Sequence, residues 1–125
     1  MAVKGKILVV DNETDQLEML KEILQRMGYE VQTTDSPRTA VKMAQSVAFR
    51  VIFIDLIMPE IDGTELCEQI KRVRPAAAIY AYSGHAHLYS AERLRRAGFQ
   101  GTINKPATMR EIKTAIGQAI NPQVV

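Results

Sequence analysis

Five short apolar runs, separated by segments of helical periodicity, constrain this chain more than any other feature. Ile7-Leu8-Val9-Val10 and Val51-Ile52-Phe53-Ile54 are continuous and rich in β-branched residues. Such runs suit strands buried on both faces of a parallel sheet. Val31 to Thr34 is a weaker, more polar second run. Ile79 to Tyr82 is the fourth, and Thr102-Ile103-Asn104 a short fifth.

The segments between the runs read as helices. Leu17, Leu20, Leu24 and Met27 follow a 3.6-residue period, and Gly28 is a good stop. Ser36-Pro37 is an N-cap followed by proline in the first turn, with Ala40, Val41 and Ala44 as the inward stripe. Asp62 can cap a helix carrying Leu66, Ile70 and Val73, which ends before Pro75. Ala91, Leu94 and Ala97 make a smaller helix that stops at Gly98. Thr108-Met109-Arg110-Glu111 is a capping box, continued by Ile112, Ala115, Ile116, Ala119 and Ile120. The order is (βα)5, and right-handed crossovers put helices on both faces of one parallel sheet.

A chain of 125 residues suits one domain, here expected over residues 4–121 with a tail at 122–125. Its apolar fraction of 46% supplies a core of useful size. The single cysteine, Cys67, excludes an intramolecular disulfide and fits a reducing, cytoplasmic setting. Residues Met1 to Lys6 carry two lysines, but the apolar run behind them is too short for a signal peptide or a membrane span. A net charge of +2 gives no case for nucleic acid.

Ligands of such sheets bind beyond the carboxyl ends of the strands. After the first run come Asp11, Asn12 and Glu13. After the third comes Asp55, after the fourth Ser83-Gly84, and after the fifth Lys105-Pro106. Parallel strands bring these residues to one edge. Clustered carboxylates repel, and a hard dication such as Mg²⁺ relieves the repulsion through oxygen ligands and retained water. A lysine can pair with a carboxylate or a phosphoryl oxygen, and a serine can donate to another. An aspartate can act as a nucleophile and form an acyl phosphate. Taken singly, Asp11, Asp15 and Asp62 also read as helix caps, Ser83 as a turn residue and Lys105 as a solvated lysine. Asp55 ends an apolar strand, where a carboxylate is costly unless paired or metal-bound.

The motifs Ile7-Leu8-Val9-Val10-Asp11-Asn12-Glu13, Val51-Ile52-Phe53-Ile54-Asp55-Leu56-Ile57-Met58-Pro59 with Asp62-Gly63, Ser83-Gly84 and Lys105-Pro106 resemble the response-regulator receiver (CheY-like) family of two-component signalling. The resemblance covers about Lys6 to Ile120 and implies a flavodoxin-like sheet of order 2-1-3-4-5. It implies that Asp55 takes a phosphoryl group from the phosphohistidine of a histidine kinase or phosphotransfer protein. It implies Mg²⁺ held by Asp11, its neighbour Asn12, Asp55 and the main-chain carbonyl of Ile57. Ser83 and Lys105 then contact the phosphoryl group, and the Lys105-Pro106 bond is cis. No separate substrate turnover is implied.

The chain departs from the family pattern in two places. Asn12 stands where the family has a second carboxylate, so weaker Mg²⁺ binding is expected. Thr102 stands where the family commonly has an aromatic switch residue, although a threonine is also an ordinary strand residue. Ile57 and His85 occupy positions that tune the lifetime of the phosphoryl group, Ile57 by hindering water and His85 by positioning it. Arg93, Arg95 and Arg96 on the fourth helix and Arg110 and Lys113 on the fifth form either a solvated basic face or a surface for an output domain, a protein partner or a second copy. The chain reads as a stand-alone receiver or as part of a longer regulator or hybrid kinase, with no direct contact to nucleic acid or membrane. A phosphorylation-independent pseudo-receiver is the alternative, which Asn12 and Thr102 favour and Asp55, Ser83 and Lys105 oppose. A flavodoxin-like cofactor binder lacks its phosphate loop after Val10.

Overall fold

The computed structural model describes residues 4–120. The elements run β1 (Lys6–Val10), α1 (Thr14–Arg26), β2 (Glu30–Thr34), α2 (Pro37–Ser46), β3 (Val51–Ile54), α3 (Gly63–Val73), β4 (Ile79–Ser83), α4 (Ala91–Ala97), β5 (Gly101–Asn104) and α5 (Met109–Ile120). The five strands form one sheet of order β2-β1-β3-β4-β5. Every neighbouring pair is parallel. The alternation of strand and helix thus gives the doubly wound fold expected from the sequence. The Ile120 side chain, the end of the domain at Asn121, and residues 1–3 and 122–125 lie outside the described residues.

Successive strand residues point to opposite faces, so β1, β3 and β4 feed two cores. Leu8, Val10, Ile52, Ile54, Ile79 and Ala81 join Ala40, Ala44, Leu66, Ile70 and Leu94 on one side. Ile7, Val9, Val51, Phe53 and Ile103 join Leu17, Leu20, Leu24, Ile112 and Ile116 on the other. The central strands β1 and β3 are buried at almost every position, which is why their runs carry no polar alternation. Cys67 belongs to the first core, where burial pushes its thiol up to about 12. That cysteine is a packing residue.

The caps form much as their residue types demand. Ser36 Oγ accepts from Thr39 N, and Asp62 Oδ1 accepts from Thr64 N. Thr108 and Glu111 exchange their bonds reciprocally: Glu111 Oε1 accepts from Thr108 N while Thr108 Oγ1 accepts from Glu111 N. Ser90, which heads a Ser-Ala-Glu-Arg stretch, caps α4 by accepting from Arg93 N, a cap not read from the sequence. Gly98 ends α4 at φ 116°, in the left-handed region that glycine tolerates best.

Four strands are one residue longer than expected, β1 from Lys6, β2 from Glu30, β4 to Ser83 and β5 from Gly101. β4 extends through Ser83, because Ser83 pairs with Asn104 of β5. β5 begins one residue early, at Gly101, where the Tyr80 ring lies over the glycine and would stand 2.7 Å from any Cβ there. A short 3-10 turn, Ala86–Leu88, precedes α4 and has no clear signal in the sequence.

Candidate functional site

Three main-chain bonds carry the ladder one step beyond the strands. Asp11 N donates to Thr34 O at 3.2 Å, Asp55 N to Val10 O at 3.0 Å, and Lys105 N to Ser83 O at 3.1 Å. The residues that follow β1, β3 and β5 are therefore held in register, and their side chains meet at the carboxyl edge. The Lys105-Pro106 bond beside them is cis, as expected.

Asp11 and Asp55 are both buried, at 1% and 5% exposure. Asp11 is fully engaged. Its Oδ1 accepts from Glu13 N at 3.0 Å, which turns the chain into α1, and its Oδ2 pairs with Lys105 Nζ at 2.5 Å. Asp55 is less well served, with Lys105 Nζ 4.0 Å away. Burial pushes the Asp55 carboxyl up. Lys105 opposes that push, the Asp11 charge adds to it, and the Ser83 hydroxyl and the Ile57 N–H oppose it, with a raised value as the net result. Two carboxylates share one ammonium.

That imbalance tests the fit of a metal. One formal positive charge faces two negative ones, and every nearby side-chain donor other than Lys105 is an oxygen. A hard dication that keeps part of its water matches such a set. Among the described residues, no group of three or more His, Cys, Asp or Glu side chains gathers to hold a metal. Asp11 and Asp55 are the two carboxylates that could hold such an ion here. Asn12 is exposed and lines a cleft of about 270 Å³ with Asp35, Met58 and Glu60.

Ser83 is fully buried at the end of β4, and its Oγ accepts from His85 N at 3.0 Å. The main chain of His85 is thereby tied to the site, while the residue itself is exposed. Ile57 is 42% exposed, and its main-chain N–H donates to the Asp55 carboxyl. Thr102 is not brought to the site. It pairs with Ala81 and faces a hollow with Leu94, Arg95 and Phe99. Arg93, Arg95, Arg96, Arg110 and Lys113 are all exposed.

Two further residues shape the site. A Cβ at Gly63 would lie 2.5 Å from the Asp55 carbonyl oxygen and 2.7 Å from Leu56 Cα, so only glycine lets α3 start against the backbone of Asp55. Gly63 N donates to Leu56 O at 2.8 Å and fastens that approach. Tyr89 donates through its hydroxyl to Asp62 Oδ2 at 2.6 Å, and Arg93 lies over its ring at 4.8 Å. The sequence showed Asp62 as the cap of α3, which it is, but gave no role to Gly63. Tyr89 carried no signal, because its contact depends on the path of the loop after β4.

Known proteins share this fold. The family model described as the response regulator receiver domain matches residues 7–117. A response regulator receiver protein of Anaeromyxobacter sp. (strain Fw109-5) is 31% identical over 86% of this chain, and the match spans 45% of that protein. The chain thus spans under half the length of that relative. A receiver domain protein from Clostridium thermocellum superposes with a TM-score of 0.87 at 30% identity, covering 95% of this chain and 96% of that one. The response regulator TrrA of Thermotoga maritima, solved in complex with Mg²⁺ and BeF, superposes with a TM-score of 0.83 at 30% identity, covering 92% and 98%.

Proposed function

This chain belongs to the response-regulator receiver family, and from that premise we propose that Asp55 is its phosphoacceptor in two-component signalling. The observation that carries the proposal is the buried Asp55 carboxylate, raised by burial and by Asp11 and only partly neutralised by Lys105 at 4.0 Å. An Asp55 oxygen attacks phosphorus of a phosphohistidine, the new O–P bond forms as the N–P bond breaks, and the imidazole leaves. The donor is a histidine kinase or a phosphotransfer protein. Lys105 balances charge on the phosphoryl oxygens, and the Ser83 hydroxyl donates to one of them.

Asp11, Asp55, Asn12 and the Ile57 carbonyl are the residues that would hold Mg²⁺. When bound, Mg²⁺ supplies charge neutralisation for phosphoryl transfer. Asn12 contributes a neutral oxygen where a carboxylate would contribute charge, which makes the metal site weaker. The apolar Ile57 hinders water and slows hydrolysis of the acyl phosphate, whereas the exposed His85 could instead position water. The exposed basic residues of α4 and α5 receive an output domain, a protein partner or a second copy. The domain works in the cytoplasm, without contacting nucleic acid or membrane, as a switch with no separate substrate to turn over.

The test is direct. Incubated with Mg²⁺ and acetyl phosphate, or with beryllofluoride, the protein gains a phosphoryl group or changes its amide spectrum, and Asp55→Ala does neither. No modification of the wild type would point to a phosphorylation-independent interaction module.

A further inference from the structure

We propose that Tyr82 is the positioning residue for Lys105, its ring forming a fixed seat that holds the ammonium between Asp11 and Asp55. The role deepens the phosphoacceptor reading, because it concerns the group that meets the phosphoryl oxygens.

Sheet geometry places the pair together. Tyr82 of β4 is in register with Ile103 of β5. Lys105 lies two residues beyond Ile103, so its side chain leaves the same face of the sheet. The bond from Lys105 N to Ser83 O keeps that register past the end of β5. As a result Lys105 Nζ stands 5.2 Å from the centroid of the Tyr82 ring. That lies within the reach of a cation–π contact, roughly 6 Å.

Both partners are built for it. The Lys105 side chain is only 13% exposed, so its ammonium has few waters to lose and gains more from the ring. The ring cannot drift: Tyr82 is buried, and its edge packs on Phe53 with centroids 6.2 Å apart at 71°. Burial, with the Asp11 and Glu111 charges, pushes the phenol up, so the ring stays neutral at physiological pH.

A lysine has a flexible four-carbon stem, and a point charge on it has no preferred direction. Asp11 alone would draw the ammonium away from the acceptor. The ring lies beneath the ammonium while both acids lie within reach, at 2.5 Å and 4.0 Å. The head can therefore pass from Asp11 to the phosphoryl group without leaving its seat. Thr102, exposed on β5, offers no aromatic surface, so the aromatic side chain at this lysine belongs to β4.

The experiment compares the full chain with Tyr82→Phe and Tyr82→Leu. Ring-current shifts of the Lys105 Cε protons are read by NMR, and the rate of Asp55 phosphorylation is read with acetyl phosphate at saturating Mg²⁺. The wild type and Tyr82→Phe are expected to show upfield Lys105 protons and rates within about twofold of each other. Tyr82→Leu is expected to lose the upfield shift and to react about five- to tenfold more slowly. Unchanged Lys105 shifts in Tyr82→Leu, or a wild-type rate in that variant, would overturn the proposal. If the leucine variant loses its fold by circular dichroism, Tyr82→Met fills the space without a ring and is judged by the same two criteria. A wild type that shows the shift but takes no phosphoryl group would refute the phosphoacceptor reading and leave the seat standing.

Discussion

Asp55 and Asp62 lie at the two ends of the loop between β3 and α3, and their surroundings push them in opposite directions. Burial raises both. At Asp55 burial, with the added charge of Asp11, outweighs the help from Lys105, Ser83 and Ile57, and the carboxyl stays raised. At Asp62 the Tyr89 hydroxyl and the Thr64 N–H and hydroxyl overcome burial, and the carboxyl is lowered. Asp62 has its hydrogen bonds supplied from within the fold, so it anchors the start of α3. Asp55 also has Ser83 and Ile57 beside it, but they and Lys105 do not offset its burial, so an incoming cation has more to gain there. Two aspartates of one loop are separated into structural and chemical roles by their neighbours alone.

The sharpest way to break that contrast is to remove the cation that Asp11 and Asp55 share. Lys105→Met leaves two buried carboxylates facing each other. Breaking a buried pair in this way costs about 3–5 kcal/mol. Urea unfolding at neutral pH reads the loss, and added Mg²⁺ is expected to restore more stability to the variant than to the wild type. Equal restoration in both would show that the acids do not share a cation deficit.

Gly63→Ala attacks the backbone between the two aspartates. The new Cβ meets the Asp55 carbonyl oxygen at 2.5 Å and Leu56 Cα at 2.7 Å, both of them main chain. Overpacking of this kind costs about 1–3 kcal/mol. It also displaces Asp55, so phosphorylation slows even in the folded fraction. A stable variant with a wild-type rate would mean that α3 shifts as a unit and carries the strain away from the site.

Tyr89→Phe weakens the Asp62 side of the comparison. The bond is charge-assisted but partly exposed, so the expected cost is about 1 kcal/mol. The pH dependence gives its sign. Asp62 has a folded value below the ordinary 3.8, so its contribution is present above that value and is lost as pH falls through the folded value. The wild type is therefore expected to lose an advantage over Tyr89→Phe only in acid, with near-constant difference around neutrality. Thermal unfolding across acidic and neutral pH checks it.

The chemical half of this contrast was legible in the sequence; of the structural half only the Asp62 cap was. Asp11, Asp55 and Lys105 each follow an apolar run, and parallel strands of matched length bring such residues to one edge. That inference needs only the period of the runs. The bond between Tyr89 and Asp62 crosses 27 positions and runs through a 3-10 turn that no periodicity announces. The need for glycine at position 63 comes from a close approach of two main chains, which leaves no mark beyond the glycine itself. Tyr82 was visible only as one more residue of an apolar strand, because its nearness to Lys105 depends on the β4–β5 register.

The smallest effect is expected at Asn12, and it tests whether the deficit around Asp55 extends to the rim of the site. Asn12 is exposed and lies on the cleft beside Met58 and Glu60, so a charge placed there is largely screened by water. Asn12→Asp adds one negative charge to a set that already holds two carboxylates against one ammonium. Attraction of a dication at that position in a high dielectric is on the order of 1 kcal/mol, or about fivefold in affinity. Titration of Mg²⁺ against amide shifts in the two proteins reads the difference directly. Tighter binding in Asn12→Asp with unchanged stability would place Asn12 in the metal's own shell. Equal affinities would confine metal binding to Asp11, Asp55 and main-chain oxygen, with the exposed amide serving only to line the cleft.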